Sequence, residues 1–588
     1  MQKYFPMGRI QVATSLSGSA SSEVCSFTVA DLIATLRVDP GLSAIRKRDL
    51  CSALKRVCEI GNRDPERVPA DVRSIRNAIR SVHPEQIGLS SSTWSNIKSN
   101  ALAALRHGRG NARSTTSQLC LSAEWQALVD QMPDKRLRNG LSRFIKFCSD
   151  RGITPDQVDD AVIESFMDWV RNDTFVNEPN DCHRRTCRLW NEAAAALDAW
   201  PNTRLSVPSY REPRQSIPLS KFPPALRREV EALCDWLLGK DLFCEHPPPK
   251  VCKPRTVTQR VKMIELAVSA YVHRGNAIED LQSLADLVAF DAVKDVLRFY
   301  LMRRNSKPSQ FIRSLLKELI RIARYRVRVD PEHVEALKDL GRRLGTDTSG
   351  LTTKNRECLR QFDDDGNKWL LLNLPAKLAA EAASRPVDDT RAAVTMQIAL
   401  AIEILLMAPM RSHNLIDLRL GRHVIRPGGP AGPVHLVVPG TETKAGEEVE
   451  YPLPAETQAV LDLYLRAYRP RLCRDDDPWL FPKTGGGRKA QATLSQQIKE
   501  TILKKTGLVM TVHQFRHLAA KFLLEHQPGN FEGARQLLTH KNIKSTTNYY
   551  TGLQTPQAAR HYDAFLQGER DRLRDTPART SRHKRTKR

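Results

Sequence analysis

The sequence predicts a multidomain protein in which all-α helical modules precede a mixed α+β domain. The chain has 588 residues, several times the roughly 150 residues of a common domain. Amphipathic helical patterns follow one another through residues 1–350, whereas short β-type runs begin only after residue 386. A hydrophobic fraction of 41% with 27% charged residues is ordinary for globular proteins and excludes a wholly disordered chain.

Three segments of the helical part share one plan. Each has an amphipathic helix that ends at a glycine, then a second helix, a polar break and a third, basic helix; the glycines are Gly61, Gly152 and Gly275. A glycine just past a helix end is expected to adopt the left-handed cap conformation. The glycines are irregularly spaced, so the pattern is not that of a solenoid. Amphipathic helices also resemble one another without common origin, and the sequence leaves that alternative open.

Changes in composition divide the chain into segments. Residues 201–224 are rich in Pro and Ser, which is typical of an extended connector, and a second polar joint lies at 345–355. The predicted segments are an N-terminal helical module (1–115), a second helical module (116–215), a third helical module (216–350), a linker (351–385), the mixed α+β domain (386–565) and a basic tail (566–588).

The charge balance indicates a polyanionic partner. Lys and Arg number 91 against 66 Asp and Glu, a formal net charge of +25, and phosphate is the commonest partner of such an excess. A ribosomal or membrane-surface protein is the alternative. The apolar stretch 392–410 is interrupted by Thr395, Gln397 and Glu403, so we expect a buried core helix and no membrane span.

The cysteine pattern and the N-terminus favour an intracellular, cytoplasmic protein. The 12 cysteines lack the paired spacing of zinc sites, so reduced thiols are expected and no metal is predicted. The first residues contain no apolar leader, which makes secretion an unfavourable hypothesis.

The C-terminal third contains the β-type runs. A long apolar helix is followed by the runs HLVVPG, GEEVEYPL and PWLFP, with turn residues between them, and helices then return. The runs predict three short strands. The sequence AGEE is expected to turn the hairpin between the first two.

Basic, histidine and tyrosine side chains follow one another in this domain in a specific order. They are Arg411, Lys444, His513, Arg516, His540 and the adjacent pair Tyr549 and Tyr550. His513 and Arg516 are three residues apart near the start of a predicted helix, so they share one face and could bind one anion. A solvated basic face is the alternative for this pair.

Cleavage of a phosphodiester without a metal requires these residue types. Two arginines can bind the non-bridging oxygens of the transition state in bidentate fashion. A tyrosine can attack the phosphorus and form a covalent phosphoester. A lysine on a hairpin could protonate the leaving 5′-oxygen, and histidines can hold or relay protons near neutral pH.

The ordered set resembles the tyrosine recombinases, also called phage-type integrases. The resemblance covers about 386–556 and rests on the HxxRH box, the TKxG hairpin, the WLFP run and the text LLTHKNIKSTTNYYT. It implies a clamp on duplex DNA in which the upstream modules are core-binding, SAM-like DNA-binding domains. It also implies a homotetramer on synapsed DNA, accessory recombination proteins as further partners, and no cofactor.

The resemblance assigns a role to each residue of the set. Arg411 and Arg516 would bind the scissile phosphate, Lys444 would protonate the 5′-oxygen, His513 would assist acid–base catalysis and His540 would contact the phosphate. Tyr550 would become the 3′-phosphotyrosyl residue. Since the bond energy is kept in that ester, rejoining would need neither ATP nor metal.

Two positions depart from the family pattern. The family often has an acid three residues after the first arginine, where this chain has Asn414. The adjacent tyrosines are the second departure: aligning STTNYYT with the family's STT-x-x-YT selects Tyr550, whereas the shorter spacing from His540 that also occurs in the family would select Tyr549.

The predicted function is therefore site-specific DNA recombination, with a mobile genetic element as its expected context. The alternatives are a non-catalytic DNA-binding accessory protein with the same fold and a type IB topoisomerase-like enzyme. The upstream modules are expected to lengthen the DNA footprint through their basic third helices. The basic residues of these helices are Lys98, Arg106, Arg184, Arg185, Arg188, Arg313, Lys317, Arg321 and Arg324.

Overall fold

The computed structural model describes residues 27–80, 82–108, 121–132, 134–210, 216–345, 350–386, 388–429, 432–443 and 446–574. The chain forms two compact units. The first combines Met1–Pro208 with Leu351–Arg588, and the second is Ser209–Gly350.

Four helices build the first bundle of the first unit. They are α1 (Val29–Val38), α2 (Ala44–Ile60), α3 (Val72–Ile79) and α4 (Ser91–Gly108). The side chains of Thr28, Ser43 and Asp71 accept hydrogen bonds from the first free backbone amides of α1, α2 and α3, which explains where these helices begin. Their apolar faces meet in one core.

The three glycines predicted to end helices differ in backbone conformation. Gly152 and Gly275 have φ angles of +66° and +100°, as predicted. Gly61 has a φ of −73°, and the left-handed position belongs to Asn62, with a φ of +49°. The amide of Gly61 still donates to the carbonyl of Val57 at 3.0 Å. The helix therefore ends just before this glycine, as predicted, but the left-handed conformation predicted for Gly61 is wrong by one residue.

A second bundle in the same unit is organised by aromatic side chains. Its helices are α5 (Ala123–Asp130), α6 (Lys135–Asp150), α7 (Asp160–Asp173) and α8 (Pro179–Ala196). The buried ring of Trp190 contacts Phe144 and Trp200, with ring centroids 5.8 and 5.0 Å apart. Such edge-on aromatic contacts add specificity to apolar burial.

The two bundles contact each other through arginines. Arg106 Nη2 donates to the carbonyl of Asp173 at 3.1 Å, and Arg76 Nη1 donates to the carbonyl of Thr174 at 3.1 Å. The guanidinium of Arg106 also lies over the ring of Trp169. Arg106, which the sequence assigns to the DNA-facing set, therefore contacts the second bundle.

The second unit is a separate helical body. Its helices are α9 (Pro224–Leu238), α10 (Pro254–His273), α11 (Leu284–Val288), α12 (Phe290–Met302), α13 (Gln310–Arg321) and α14 (Pro331–Arg343). A π-helical segment, Ile322–Val327, extends α13. Lys317 and Arg324 are exposed on this long helix.

Residues 351–385 are helical, in contrast to the predicted linker. The helices are α15 (Thr353–Arg360), α16 (Asp365–Leu372) and α17 (Leu374–Ala383). Leu371, Leu374 and Leu378 are buried in the same core as the residues that follow. Leucines and alanines at helical spacing provide the apolar face that this packing needs.

The centre of this domain is α18 (Thr390–Met407), which packs against α17. By length and hydropathy this helix could cross a membrane, but 61% of it is buried inside the structure. The burial agrees with the prediction of a core helix. A short helix, α19 (Ser412–Ile416), follows it.

A small antiparallel sheet follows α19. Its strands are β1 (Val424–Ile425), β2 (His435–Val438) and β3 (Val449–Pro452), in the order β1-β2-β3. The predicted hairpin of the first two runs is confirmed, with Val438 paired to Val449. The third predicted strand, PWLFP, is wrong: Trp479 makes an isolated bridge with Arg419, and β1 is the third strand of the sheet.

Five helices complete the domain. They are α20 (Ala455–Leu463), α21 (Gln491–Thr506), α22 (Gln514–His526), α23 (Phe531–Leu537) and α24 (Ile543–Leu573). The last three contact one another, and this arrangement brings the HxxRH box next to the residues around 540 and 550.

Candidate active site

Helix α22 contributes three polar side chains from its first turn and the residue before it. His513 stands at the N-cap position and is exposed, whereas Arg516 and His517 are 2% and 7% exposed. The rings of His513 and His517 meet edge-on with their centroids 5.0 Å apart. A purely solvated basic face is therefore excluded for this helix, because Arg516 is buried.

Arg516 is held by two backbone carbonyls from different parts of the chain. Its Nη1 donates to the carbonyl of Pro409 at 2.6 Å, and its Nη2 donates to the carbonyl of Leu538. Burial and the positive charge of Arg411 lower the pKa of Arg516 to about 10. The guanidinium remains charged at neutral pH, and its orientation is fixed before any ligand binds.

Arg411 reaches the same region from the N-terminal end of α19. It is half-buried, and its Nη1 lies 3.5 Å from the hydroxyl of Thr539. Burial lowers the pKa of this guanidinium as well. Thr539 has a φ of +50°, a conformation that is strained for a β-branched residue.

His540 follows Thr539 and lies among positive charges. Its Nδ1 is 3.0 Å from the hydroxyl of the fully buried Thr546. Burial and the positive charges of Arg516 and Arg411 together lower the pKa of His540 to about 4. The imidazole is therefore neutral at physiological pH and can donate one hydrogen bond.

The two adjacent tyrosines face different surroundings. Tyr549 is 46% exposed, whereas Tyr550 is 1% exposed. Burial raises the pKa of the Tyr550 hydroxyl, and the positive charge of Arg516 opposes this shift. Tyr550 is thus the tyrosine whose oxygen lies within the electrostatic reach of the buried arginine.

His517 is a site residue that the motif analysis quotes but assigns no role. Its Nδ1 is 2.8 Å from the hydroxyl of Tyr550, and its Nε2 is 3.4 Å from Asn355 Nδ2. Burial and the neighbouring basic groups, His513 and Arg516 among them, together lower its pKa to about 4. The only sequence signal for His517 is its position directly after Arg516 in the HxxRH box.

Tyr451 is a second residue that sequence reasoning does not identify. It lies on β3, is 8% exposed, and its hydroxyl donates to the carbonyl of Leu537 at 3.1 Å. Burial raises its pKa, while Arg516 and Arg411 oppose the shift. Tyr451 occupies an inward-facing position in the alternating pattern of β3, so the sequence does not distinguish it from an ordinary core residue.

Lys444 lies outside the described residues. The neighbouring Thr443 donates to the carbonyl of Glu447 at 2.8 Å and accepts from the amide of Gly446 at 3.0 Å. These bonds link Thr443 to the start of the segment that leads into β3.

The described site is a preformed cluster of positive charge with a tyrosine at its buried end. The positive charge of Arg411 lowers the pKa of Arg516, so the cluster is complementary to an anion. Across the described ranges, no group of three His, Cys, Asp or Glu side chains is placed to hold a metal ion. The arrangement can bind a phosphodiester and present a phenolic oxygen to it.

Comparison with known proteins identifies the domain that contains this cluster. Residues 379–556 match the model of the phage integrase family. No curated protein matches the chain.

Solved recombinase structures overlap the chain in part. A lambda integrase tetramer bound to a Holliday junction is 18% identical, with a TM-score of 0.33 over 55% of this chain and 75% of that chain. A lambda integrase dimer bound to a COC′ core site is 17% identical, with a TM-score of 0.34 over 63% of this chain and 87% of that one. XerA recombinase is 16% identical, with a TM-score of 0.24 over 57% and 98%.

Proposed function

We infer that this chain, whose residues 379–556 belong to the phage integrase family, is a site-specific DNA recombinase. It cleaves and rejoins DNA strands through a 3′-phosphotyrosyl intermediate formed on Tyr550. The observation that carries the assignment of this residue is the contrast between the two tyrosines: Tyr550 lies beside Arg516, whereas Tyr549 is 46% exposed.

The two arginines bind the scissile phosphate. Arg516 uses two of its five N–H groups on backbone carbonyls and also hydrogen-bonds the side chain of Tyr451. The guanidinium still keeps donors for the non-bridging oxygens. Arg411, which precedes α19, adds a second planar cation beside that of Arg516 on α22. Together they stabilise the charge that develops in the pentavalent transition state, and they need no reorganisation to do so.

The remaining residues move protons or hold the phosphate. Tyr550 attacks the phosphorus, the bond from phosphorus to the 5′-oxygen breaks, and Lys444 gives a proton to that oxygen. His540, neutral at physiological pH, donates to a phosphate oxygen, and the exposed His513 assists acid–base catalysis at the mouth of the site. Asn414, where the family often has an acid, is compatible with these roles because none of them uses a carboxylate.

The helical modules upstream of residue 350 bind the DNA outside the cleavage position. Their role rests on the basic excess of the chain, which has a net charge of +25 as a whole, and on exposed cations such as Lys317 and Arg324. Duplex DNA is the partner, and the working form is a tetramer on synapsed sites, with accessory recombination proteins as further partners. The recombinase serves a mobile genetic element, and the protein acts in the cytoplasm.

Covalent trapping with a matched pair of tyrosine variants tests this function. The full chain is incubated with a pool of duplexes that carry a randomised centre, and strands joined to protein under denaturing conditions are sequenced to identify the preferred site. A nicked version of that site then traps the adduct. We expect Tyr550→Phe to abolish the adduct and to retain DNA binding, because phosphate contacts come mainly from Lys and Arg.

Tyr549→Phe is the control and should form the adduct within about threefold of the parent rate, since conservative surface changes have small effects. An adduct that survives in Tyr550→Phe and is lost in Tyr549→Phe would reassign the nucleophile. Absence of any adduct from the parent would favour an accessory DNA-binding protein. Relaxation of supercoils without exchange between two sites would favour the topoisomerase alternative.

A further inference from the structure

The hydrogen bond between His517 and Tyr550 has a direction that neighbouring amides determine. The backbone N–H of Thr511 can only donate, and it lies 2.7 Å from Gln514 Oε1. That oxygen is therefore the acceptor, which fixes the orientation of the Gln514 amide. Its Nε2 then donates to Asn355 Oδ1 at 3.2 Å.

The orientation of Asn355 determines the tautomer of His517. Because Asn355 Oδ1 accepts from Gln514, its Nδ2 is the atom that faces His517 Nε2, at 3.4 Å. Nε2 must then be the unprotonated nitrogen. A neutral imidazole has one N–H, so the proton is on Nδ1, which lies 2.8 Å from the oxygen of Tyr550.

We propose that His517, protonated on Nδ1, is a positioning residue that donates a hydrogen bond to the oxygen of Tyr550 in both cleavage and rejoining. The proposal rests on the proposed role of Tyr550. The contact places an N–H group where negative charge develops when the phenol gives up its proton for the attack and where it develops again when the tyrosine oxygen leaves. Donors that are fixed at such a position stabilise the transition state.

The proton balance follows from this direction. In cleavage, the Tyr550 oxygen bonds to phosphorus, the bond to the 5′-oxygen breaks, the phenolic proton passes to water and Lys444 gives a proton to the 5′-oxygen. His517 does not take the phenolic proton, because Nδ1 already holds one. Rejoining reverses these bonds, and the N–H of His517 then stabilises the departing phenolate.

Two substitutions at 517 distinguish the donor from simple packing. The side-chain amide of His517→Asn can place an N–H near the position of Nδ1, whereas His517→Leu cannot donate. We expect adduct formation on the nicked duplex to fall about 100-fold in His517→Leu, the size of one lost donor to a developing oxyanion, and to recover largely in His517→Asn. Equal loss in both variants would overturn the proposal.

A reaction that does not use the tyrosine provides the second readout. In a Tyr550→Phe background, a strand with a 3′-p-nitrophenyl phosphate is offered to a 5′-hydroxyl; the bond to nitrophenolate breaks and the bond to the 5′-oxygen forms. Adding His517→Leu should leave this joining rate within about twofold of the rate with His517, because good leaving groups need little stabilisation. A large loss here would show that His517 supports the fold or the arginines.

The tautomer itself is tested through Asn355→Asp. A carboxylate at this position accepts from Nε2–H, which moves the imidazole proton away from Nδ1. We expect adduct formation to fall as in His517→Leu while joining of the p-nitrophenyl strand continues. Unchanged adduct formation in Asn355→Asp would overturn the assigned tautomer. Failure of Tyr550 as the nucleophile is recognised separately, since Tyr550→Phe alone would then still form the adduct.

Discussion

The domain at 350–574 buries charged side chains, whereas the helical bundles before it bury very few. Among the described residues, the buried lysines and arginines are Arg469, Lys489, Arg516 and Lys521, all of which lie after residue 350. Within the described part of the chain before residue 350, the buried acids, bases and histidines are His183 and Glu318. A buried charge costs free energy unless it is paired. The bundles show that a stable helical fold in this chain needs very few buried charged side chains.

The buried cations differ in what neutralises them. Lys521 pairs with Asp363 at 2.7 Å and with Glu525. Arg516 has carbonyl partners and a second arginine as its neighbour. A fold gains nothing from placing like charges together, so the cluster around Arg516 indicates an anion that binds there, whereas Lys521 indicates a structural ion pair.

Substitution of the two buried cations should separate these roles most clearly. Arg516→Lys keeps the charge but loses the planar fork, and we expect the rate of adduct formation to fall about 1000-fold. Lys521→Met should lower the free energy of unfolding by about 1 kcal/mol, because its ion pairs with the exposed Asp363 and the half-buried Glu525 are lost. The adduct rate of the folded fraction should stay within a few-fold. Urea unfolding and adduct kinetics on both variants measure the difference. A comparable loss of adduct formation in the two variants would contradict separate roles for Arg516 and Lys521.

Lys444 is expected to act on the leaving group only. Lys444→Ala should slow cleavage about 100-fold, the size of a lost general acid. A substrate with sulfur at the bridging 5′ position has a leaving group that needs no proton, and it should restore the rate. The same substrate should not rescue Arg516→Lys, which makes that variant the control. Equal rescue of both would show that the leaving group does not distinguish the two residues.

Acid should destabilise the site domain through its neutral histidines. His517 has a pKa of about 4 in the folded protein, below its ordinary value of 6.5, so the unfolded chain binds more protons between these values. The free energy of unfolding should therefore fall as the pH decreases from 6.5 to 4, with His517 contributing at most about 3 kcal/mol. Urea unfolding at pH 7 and pH 5 measures the loss, and His517→Asn should reduce it. An identical pH dependence in that variant would contradict a buried neutral histidine.

The smallest expected effect concerns the exposed cations of the second unit. Lys317→Ala or Arg324→Ala should each reduce the slope of log affinity against log salt by about 0.9, the value for one lost contact to a DNA phosphate. The free energy of unfolding should change by less than about 0.5 kcal/mol. Lys338→Ala is the control for the loss of one lysine from another helix of the same unit, α14, where Lys338 contacts Glu335 at 3.1 Å. Unchanged slopes for Lys317 and Arg324 would remove this helix from the DNA contact.

Sequence reasoning succeeded where chemistry is carried by residues close together in a motif. The HxxRH box and the hairpin were predictable because their spacing encodes helix and strand geometry. The role of His517 was not, since its tautomer depends on Asn355, which reaches it across 162 positions. The linker at 351–385 was wrong because polar flanks concealed leucines such as Leu371 that join the main core.

At Thr539, the residue that would relieve backbone strain is not the residue that can contact Arg411. Its φ of +50° is a conformation that glycine adopts freely and threonine does not, yet its hydroxyl is the described contact of Arg411. A glycine here would relax the turn between α23 and α24 and release the guanidinium; a threonine does the reverse. Selection for thermostability alone would therefore favour glycine at this position at the expense of the contact with Arg411, and any engineered stabilisation of the domain should leave Thr539 unchanged.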